Sequence, residues 1–204
     1  YCMPDGVEKL EREDILTYEE FLRLAALFAQ CGVDTVRVTG GEPLVRKGVD
    51  HLVAQLKAIP GIRRVTMTTN GVLLAQQLPA LLAAGLDSVN ISLDTLSPEV
   101  FARITARDAF ADVMAGIRAA LESGLPVKLN CVPQVGVNEG ELEALAAQCS
   151  TPVDLDALRS GQAVLLYAPD FVLDENGQTQ WGTQAAPFAG CTAVLEYPTL
   201  DGAH

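Results

Sequence analysis

The stretch from Val38 to Val45, VTGGEPLV, sets two glycines after a β-branched run and follows them with a carboxylate and a proline. Without Cβ atoms, Gly40 and Gly41 leave backbone N–H and C=O groups open to close approach by a ligand. Glu42 can accept hydrogen bonds from an amine, a hydroxyl or a backbone N–H, and Pro43 stiffens the exit. The same pattern also suits a plain tight turn between a strand and a helix. Two phosphate sites are excluded. No GxxxxGK[ST] follows, and Glu42 and Pro43 stand where a dinucleotide fingerprint needs its remaining glycine. Three further polar runs close β-branched segments: Thr68 to Gly71, Asn90 to Asp94, and Lys128 to Asn130. Each alone is ordinary turn chemistry.

The elements around these runs alternate. TYEEFLRLAALFAQCG reads as a helix, with Thr17 and Glu20 as a capping box and Gly32 as its stop. DTVRVTGG is a strand, GVDHLVAQLKAIPG a helix and IRRVTMTTNG a strand. LLAQQLPALLAAGL is a helix in spite of Pro79, and DSVNISLD is a strand. SPEVFARIT and DAFADVMAGIRAALESGL are helices, PVKLNCVPQ a strand, and NEGELEALAAQC a last helix. Such alternation means parallel strands joined by helical crossovers. An open doubly wound sheet and a (β/α) barrel both satisfy the pattern. In either, ligands sit at the carboxyl ends of the strands, which would gather the four polar runs at one pocket.

Bulk properties narrow the partners. The 204 residues suffice for one domain with a sizeable core, 49% of them are hydrophobic, and the net charge is −12. That charge argues against nucleic-acid and anionic-membrane surfaces. No apolar run approaches a membrane span. Five widely spaced cysteines, an odd number, argue against a disulfide framework and for the reducing cytoplasm. Cys31 and Cys131 read as core thiols. After Cys149 the strand–helix rhythm stops. Residues 150–204 read as a divergent or foreign tail, with a β-hairpin expected across Asn176 and Gly177.

YCMP at the start, VRVTGGEPLVR, TTNGVLL, AAGLDSVNISLDTL and VKLNCVPQ with the GVN that follows it together resemble the radical SAM superfamily, and within it the GTP 3′,8-cyclases of molybdenum cofactor biosynthesis. The resemblance runs from Tyr1 to about Ala147. It implies an α/β fold, an incomplete (β/α) TIM-type barrel over residues 1–149. It also implies a [4Fe–4S] cluster on three thiolates whose open iron takes S-adenosyl-L-methionine (SAM). Reductive cleavage of SAM would give a 5′-deoxyadenosyl radical that takes the 3′ hydrogen of GTP. Position by position, Cys2 matches the third cluster cysteine. Tyr1, Gly40, Gly41, Glu42, Pro43 and Ser92 match SAM contacts, and Arg37, Thr68 and Lys128 match GTP contacts. Arg37 and Lys128 sit on strands, where a lone charge facing a barrel interior is costly unless paired or bound to an anion. The resemblance further implies a reducing partner such as flavodoxin or ferredoxin.

Several family features are expected to be lacking. The chain opens one residue before the third cluster cysteine, so it reads as N-terminally truncated, without the first strand, the first two cluster cysteines or a first-strand GTP arginine. A single thiolate would not hold a cluster in the usual way, which leaves the activity of this chain by itself open. The second cysteine cluster of the family has no counterpart around Cys191. Losing one strand would also leave an open sheet edge for the tail hairpin or a second copy of the chain, as a homodimer, to cover. Three other readings stand beside the cyclase: a radical SAM enzyme acting on a peptide or cofactor precursor, a non-catalytic fragment that binds a nucleotide or a partner, and an aldolase-type barrel with Lys128 as Schiff-base lysine.

Overall fold

The computed structural model describes residues 15–132, 134, 136–141 and 144–145, together with the backbone of short strands at 172–173, 179–180 and 191–195. Thr17 opens helix α1 (Tyr18–Gln30) through the expected capping box, in which its hydroxyl accepts from the Glu20 N–H and Glu20 reaches back to the Thr17 N–H. Gly32 closes it, at φ 94°, where its N–H donates to the Ala29 carbonyl and that of Val33 to Phe28. Strand β1 (Thr35–Val38) follows, then a 3₁₀ turn (Pro43–Val45), α2 (Val49–Lys57), β2 (Arg64–Thr69) and α3 (Leu74–Ala83). Next come β3 (Ser88–Ser92), α4 (Pro98–Thr105), α5 (Phe110–Glu122) and β4 (Val127–Cys131). Helix α3 runs through Pro79 without a break.

Strands β1 to β4 pair in parallel and in sequence order. Right-handed crossovers in one direction place every helix on the same side. A doubly wound sheet must instead reverse its strand order, so the ambiguity left by the pattern resolves to barrel-type winding. The two faces of the sheet differ in chemistry. Val65, Met67, Val89, Ile91, Leu93, Val127 and Leu129 form one face and are buried under the helices, in a core shared with Val53, Leu74 and Ile117. The other face carries Arg37, Thr66, Thr68, Ser88, Asn90, Ser92, Lys128 and Asn130, by strand alternation and the observed register. A polar face of this kind is unusual for a parallel sheet, whose strands commonly read as continuous apolar runs.

Helix α5 lies close against the loop after β2. A Cβ on Gly116 would come within 2.6 Å of the Gly71 carbonyl oxygen, and one on Gly71 within 2.9 Å of the Ile91 side chain. Both positions therefore need glycine to let helix, loop and sheet approach.

One sequence expectation changes here. The helix expected from Asn138 to Cys149 begins instead with a turn at 136–138 and a 3₁₀ turn (Glu139–Glu141). The reason is local: the Asn138 side chain accepts from the Gln134 N–H at 2.6 Å and donates to the Asp94 and Val132 carbonyls, competing with helical pairing. In the tail, β5 (Val172–Leu173) and β6 (Thr179–Gln180) pair antiparallel on either side of Asn176 and Gly177, as the hairpin reading expects, and β7 (Cys191–Leu195) joins the main sheet parallel to β4. The main sheet thus has five strands in the order β1-β2-β3-β4-β7, and a segment read as outside the strand–helix rhythm extends it.

Candidate functional site

The carboxyl ends of β1, β2 and β3 open into a cavity of about 690 Å³, within the range of roughly 300–1,000 Å³ usual for small-molecule sites. Gly40, Gly41, Glu42, Thr68 and Ser92 all line it. The glycines are exposed, and a Cβ built on either would meet no heavy atom within 4 Å. Gly40 holds φ 148°, a conformation that side chains rarely adopt. The turn is therefore bare backbone facing open space, and nothing packed against it explains the glycines.

Glu42 does something the sequence did not show. Its Oε1 accepts from the Leu44 N–H at 3.0 Å and the Thr69 hydroxyl at 2.7 Å, and its Oε2 from the Asn70 N–H at 2.6 Å. The carboxylate caps the 3₁₀ turn after β1 and clamps it to the loop after β2. That loop is braced in turn: the Gly71 N–H donates to Thr69 Oγ1, and the Val72 N–H to Asn70 Oδ1. Gln77 from α3 donates to the Leu44 carbonyl at 2.8 Å, closing the ring.

The ends of β3 and β4 are stitched in the same way. Asp94, buried, accepts from the Val132 N–H at 2.8 Å. Glu141 accepts from the Thr95 hydroxyl and the Leu96 N–H at 2.7 Å. Cys131 lies beside these groups. Burial, with the nearby charges of Asp94 and Glu141, pushes its thiol up to about 12, so it stays protonated and inert. Cys31, expected as a core thiol, is instead exposed, in the loop entering β1 at the end of the strand away from the cavity. Among the described residues, no three His, Cys, Asp or Glu side chains gather in a way that could hold a metal ion. Tyr1 and Cys2 lie outside the described residues.

The remaining predicted residues are not all in this cavity. Pro43 is buried and, with Arg37, lines a second, apolar groove of about 340 Å³ between α1 and the edge strand β1. Arg46 lies over the Tyr18 and Phe21 rings in that groove, 4.4 and 5.5 Å from their centroids. Lys128 lines neither concavity but shares a register row with Thr68 and Asn90, while Arg37 is paired in register with Thr66. Both Arg37 and Lys128 are exposed, so the desolvation cost expected from an interior strand position does not apply. Thr66, by contrast, is 6% exposed, and its hydroxyl has no hydrogen-bond partner among the described residues. Sequence reasoning missed Glu141 and Arg107, the latter an exposed residue of the α4–α5 connection that lines the cavity.

Comparison with known proteins follows the same stretch of chain. The family model described as "Radical SAM superfamily" matches residues 1–149. "Molybdenum cofactor biosynthesis protein 1" of Bos taurus is 50% identical over 158 residues, covering 76% of this chain and 25% of that protein. "GTP 3',8-cyclase" of Petrotoga mobilis is 50% identical over 145 residues, 70% of this chain and 45% of that one. The Homo sapiens "Molybdenum cofactor biosynthesis protein 1" is 51% identical over 149 residues, 72% and 23% respectively. The chain thus spans between a quarter or less and just under half the length of these relatives.

Proposed function

The chain belongs to the radical SAM superfamily, and we propose that its cavity binds SAM at Gly40 and Gly41 beside GTP, forming part of a GTP 3′,8-cyclase of molybdenum cofactor biosynthesis. The observation that carries this reading is the cradle itself. Two glycines with open space above them share one cavity with Thr68 and Ser92, and relatives bearing the cyclase name are about half identical over this region.

The residues present fit the amino-acid end of SAM. A Cβ at Gly41 would fill space that a ligand backbone needs, and the exposed N–H and C=O groups of the turn can pair with its amino and carboxyl groups. Glu42 holds the turn in place through the loop after β2, with Pro43 anchoring its far side in the core. Ser92 offers a hydroxyl from the neighbouring wall. When bound and reductively cleaved, SAM supplies the hydrogen-abstracting deoxyadenosyl group of this family. GTP would lie along the polar face, where Thr68 and Lys128 share a row and Arg37 sits on the edge strand.

The described thiols do not fit an iron–sulfur cluster: Cys131 is buried and protonated, and Cys31 sits at the wrong end of its strand. Ligation would fall to Cys2 and thiolates from elsewhere. The reading also implies an external reductant such as flavodoxin or ferredoxin and a reducing, cytoplasm-like compartment. No described helix is long and apolar enough to cross a membrane.

Calorimetric titration of the chain with SAM tests the proposal. Gly41→Val is expected to weaken SAM at least about tenfold, since the branched side chain occupies the ligand's place. Equal affinity in both proteins would remove SAM from this cavity.

A further inference from the structure

The α4–α5 connection carries a feature that neither the fold nor the proposed SAM contacts explain. Helix α4 ends at Ala106, which adopts φ 55° and ψ 28° and is the one non-glycine residue with positive φ among those described. An alanine takes the left-handed conformation only at a cost. Here the surroundings enforce it: the Thr105 hydroxyl donates to the Phe101 carbonyl at 2.8 Å and accepts from the Arg107 N–H at 3.3 Å. The result of this turn is that Thr105, Arg107 and Ala109 all reach the wall of the 690 Å³ cavity. Backbone strain that places a side chain on a ligand cavity is a recurrent mark of function.

Among the described residues, Arg107 is the only basic side chain on that wall. The cavity's two carboxylates do not engage it. Glu42 accepts from Leu44, Thr69 and Asn70, and Asp94 accepts from the Val132 N–H. The Arg107 guanidinium itself has no ion pair or side-chain hydrogen bond among the described residues. A permanent cation with five donors in a planar fork thus faces a cavity in which no described protein group answers it.

We infer that Arg107 is a binding residue of this cavity and takes an oxyanion, a carboxylate or a phosphate, of the molecule bound there. The inference rests on the reading that SAM and GTP share the cavity. Those two ligands offer the two sources: the amino-acid carboxylate of SAM and the triphosphate of GTP. The guanidinium fork suits either, through paired charge-assisted hydrogen bonds.

Calorimetry on the 204-residue chain with two ligand pairs decides the matter. The pairs are SAM against decarboxylated SAM, and GTP against guanosine, each titrated into wild type, Arg107→Met, Arg107→Lys and Gly41→Val. In one pair, Arg107→Met is expected to weaken the member that carries the oxyanion about 10- to 100-fold and to leave the member that lacks it unweakened. The pair affected identifies the oxyanion. Arg107→Lys recovers only part of the loss, because a point charge lacks the fork. The inference is overturned if Arg107→Met leaves the affinity ratio of the two members within twofold in both pairs, whether it changes neither member or weakens both equally, the latter meaning packing and not charge. If wild type binds SAM in a Gly41-dependent way and Arg107→Met changes neither ratio, only the role of Arg107 falls. If wild type binds none of the four, or Gly41→Val leaves SAM unaffected, the cavity reading falls and the role of Arg107 with it.

Discussion

Removing the Glu42 carboxylate should loosen the turn that faces the cavity. Three donors converge on it: the Leu44 and Asn70 amides and the Thr69 hydroxyl. A hydrogen bond to a charged group contributes about 1.5–3 kcal/mol net, so simple addition would give roughly 5–9 kcal/mol. That sum overshoots for two reasons. Asn70 is exposed and its amide can turn to water, and the open cavity admits water beside the others. Leu44 and Thr69, at 3% and 2% exposure, are the groups whose donors stay poorly satisfied. We therefore expect Glu42→Ala to cost about 2–4 kcal/mol and Glu42→Gln about 1–2 kcal/mol, since the amide keeps one acceptor but turns an N–H₂ toward a donor. Urea unfolding gives the magnitude, and amide hydrogen exchange gives the location. Protection should fall at Leu44 and Asn70 while amides in the middle of β2 keep theirs. A Glu42→Ala protein within about 0.5 kcal/mol of wild type, with Asn70 exchange unchanged, would refute the clamp and return Glu42 to a direct ligand contact.

Two other groups give independent tests. Burial pushes the Asp87 carboxyl up, but hydrogen bonds from the Val65 N–H and Lys57, with the charges of Lys57 and Arg64, outweigh it and hold it below its ordinary 3.8. A depressed carboxyl adds stability that is complete above its unfolded value and lost as pH falls through its folded one. The stability gap between wild type and Asp87→Asn should therefore be wider at pH 5 than at pH 3, read from urea midpoints; a gap independent of pH would sink this account. For the thiols, mass mapping after brief iodoacetamide treatment should find Cys31 labelled and Cys131 unlabelled until urea is added, because one is exposed and the other is buried and held protonated. Labelling of native Cys131 would show that the loops stitched by Asp94 and Glu141 open readily.

The fold was legible where its determinants are local. The Thr17 capping box, the glycine after α1 and the strand–helix alternation each depend on residues a few positions apart. Helix side follows from the handedness of the crossovers once the strand order is known, but the order is itself a long-range property, which the alternation left open and the observed pairing supplies. Where a side chain reaches far along the chain, pattern reading failed. Glu141 looked like one more residue of an amphipathic helix, yet its partners are Thr95 and Leu96, some 45 positions earlier. Asn138 looked like a helix start and instead pins the ends of β3 and β4.

The site shows why both outcomes coexist. Its glycines and hydroxyls stand at strand ends because any parallel sheet exposes unpaired backbone there, and a ligand can exploit it. Short loops at such an edge have few apolar groups to pack, so something else must hold them still. Here carboxylates and an amide do so, each bridging neighbouring strands: Glu42 from β1 to β2, Asp94 from β3 to β4, and Glu141 and Asn138 back to the end of β3. Acidic residues suit the task because one carboxylate can accept several backbone N–H groups at once. Their cost is a negative rim around a cavity proposed for ligands that carry a carboxylate or a triphosphate. Arg107, aimed at that cavity by a strained turn and matched by no described carboxylate, is the charge that would offset it.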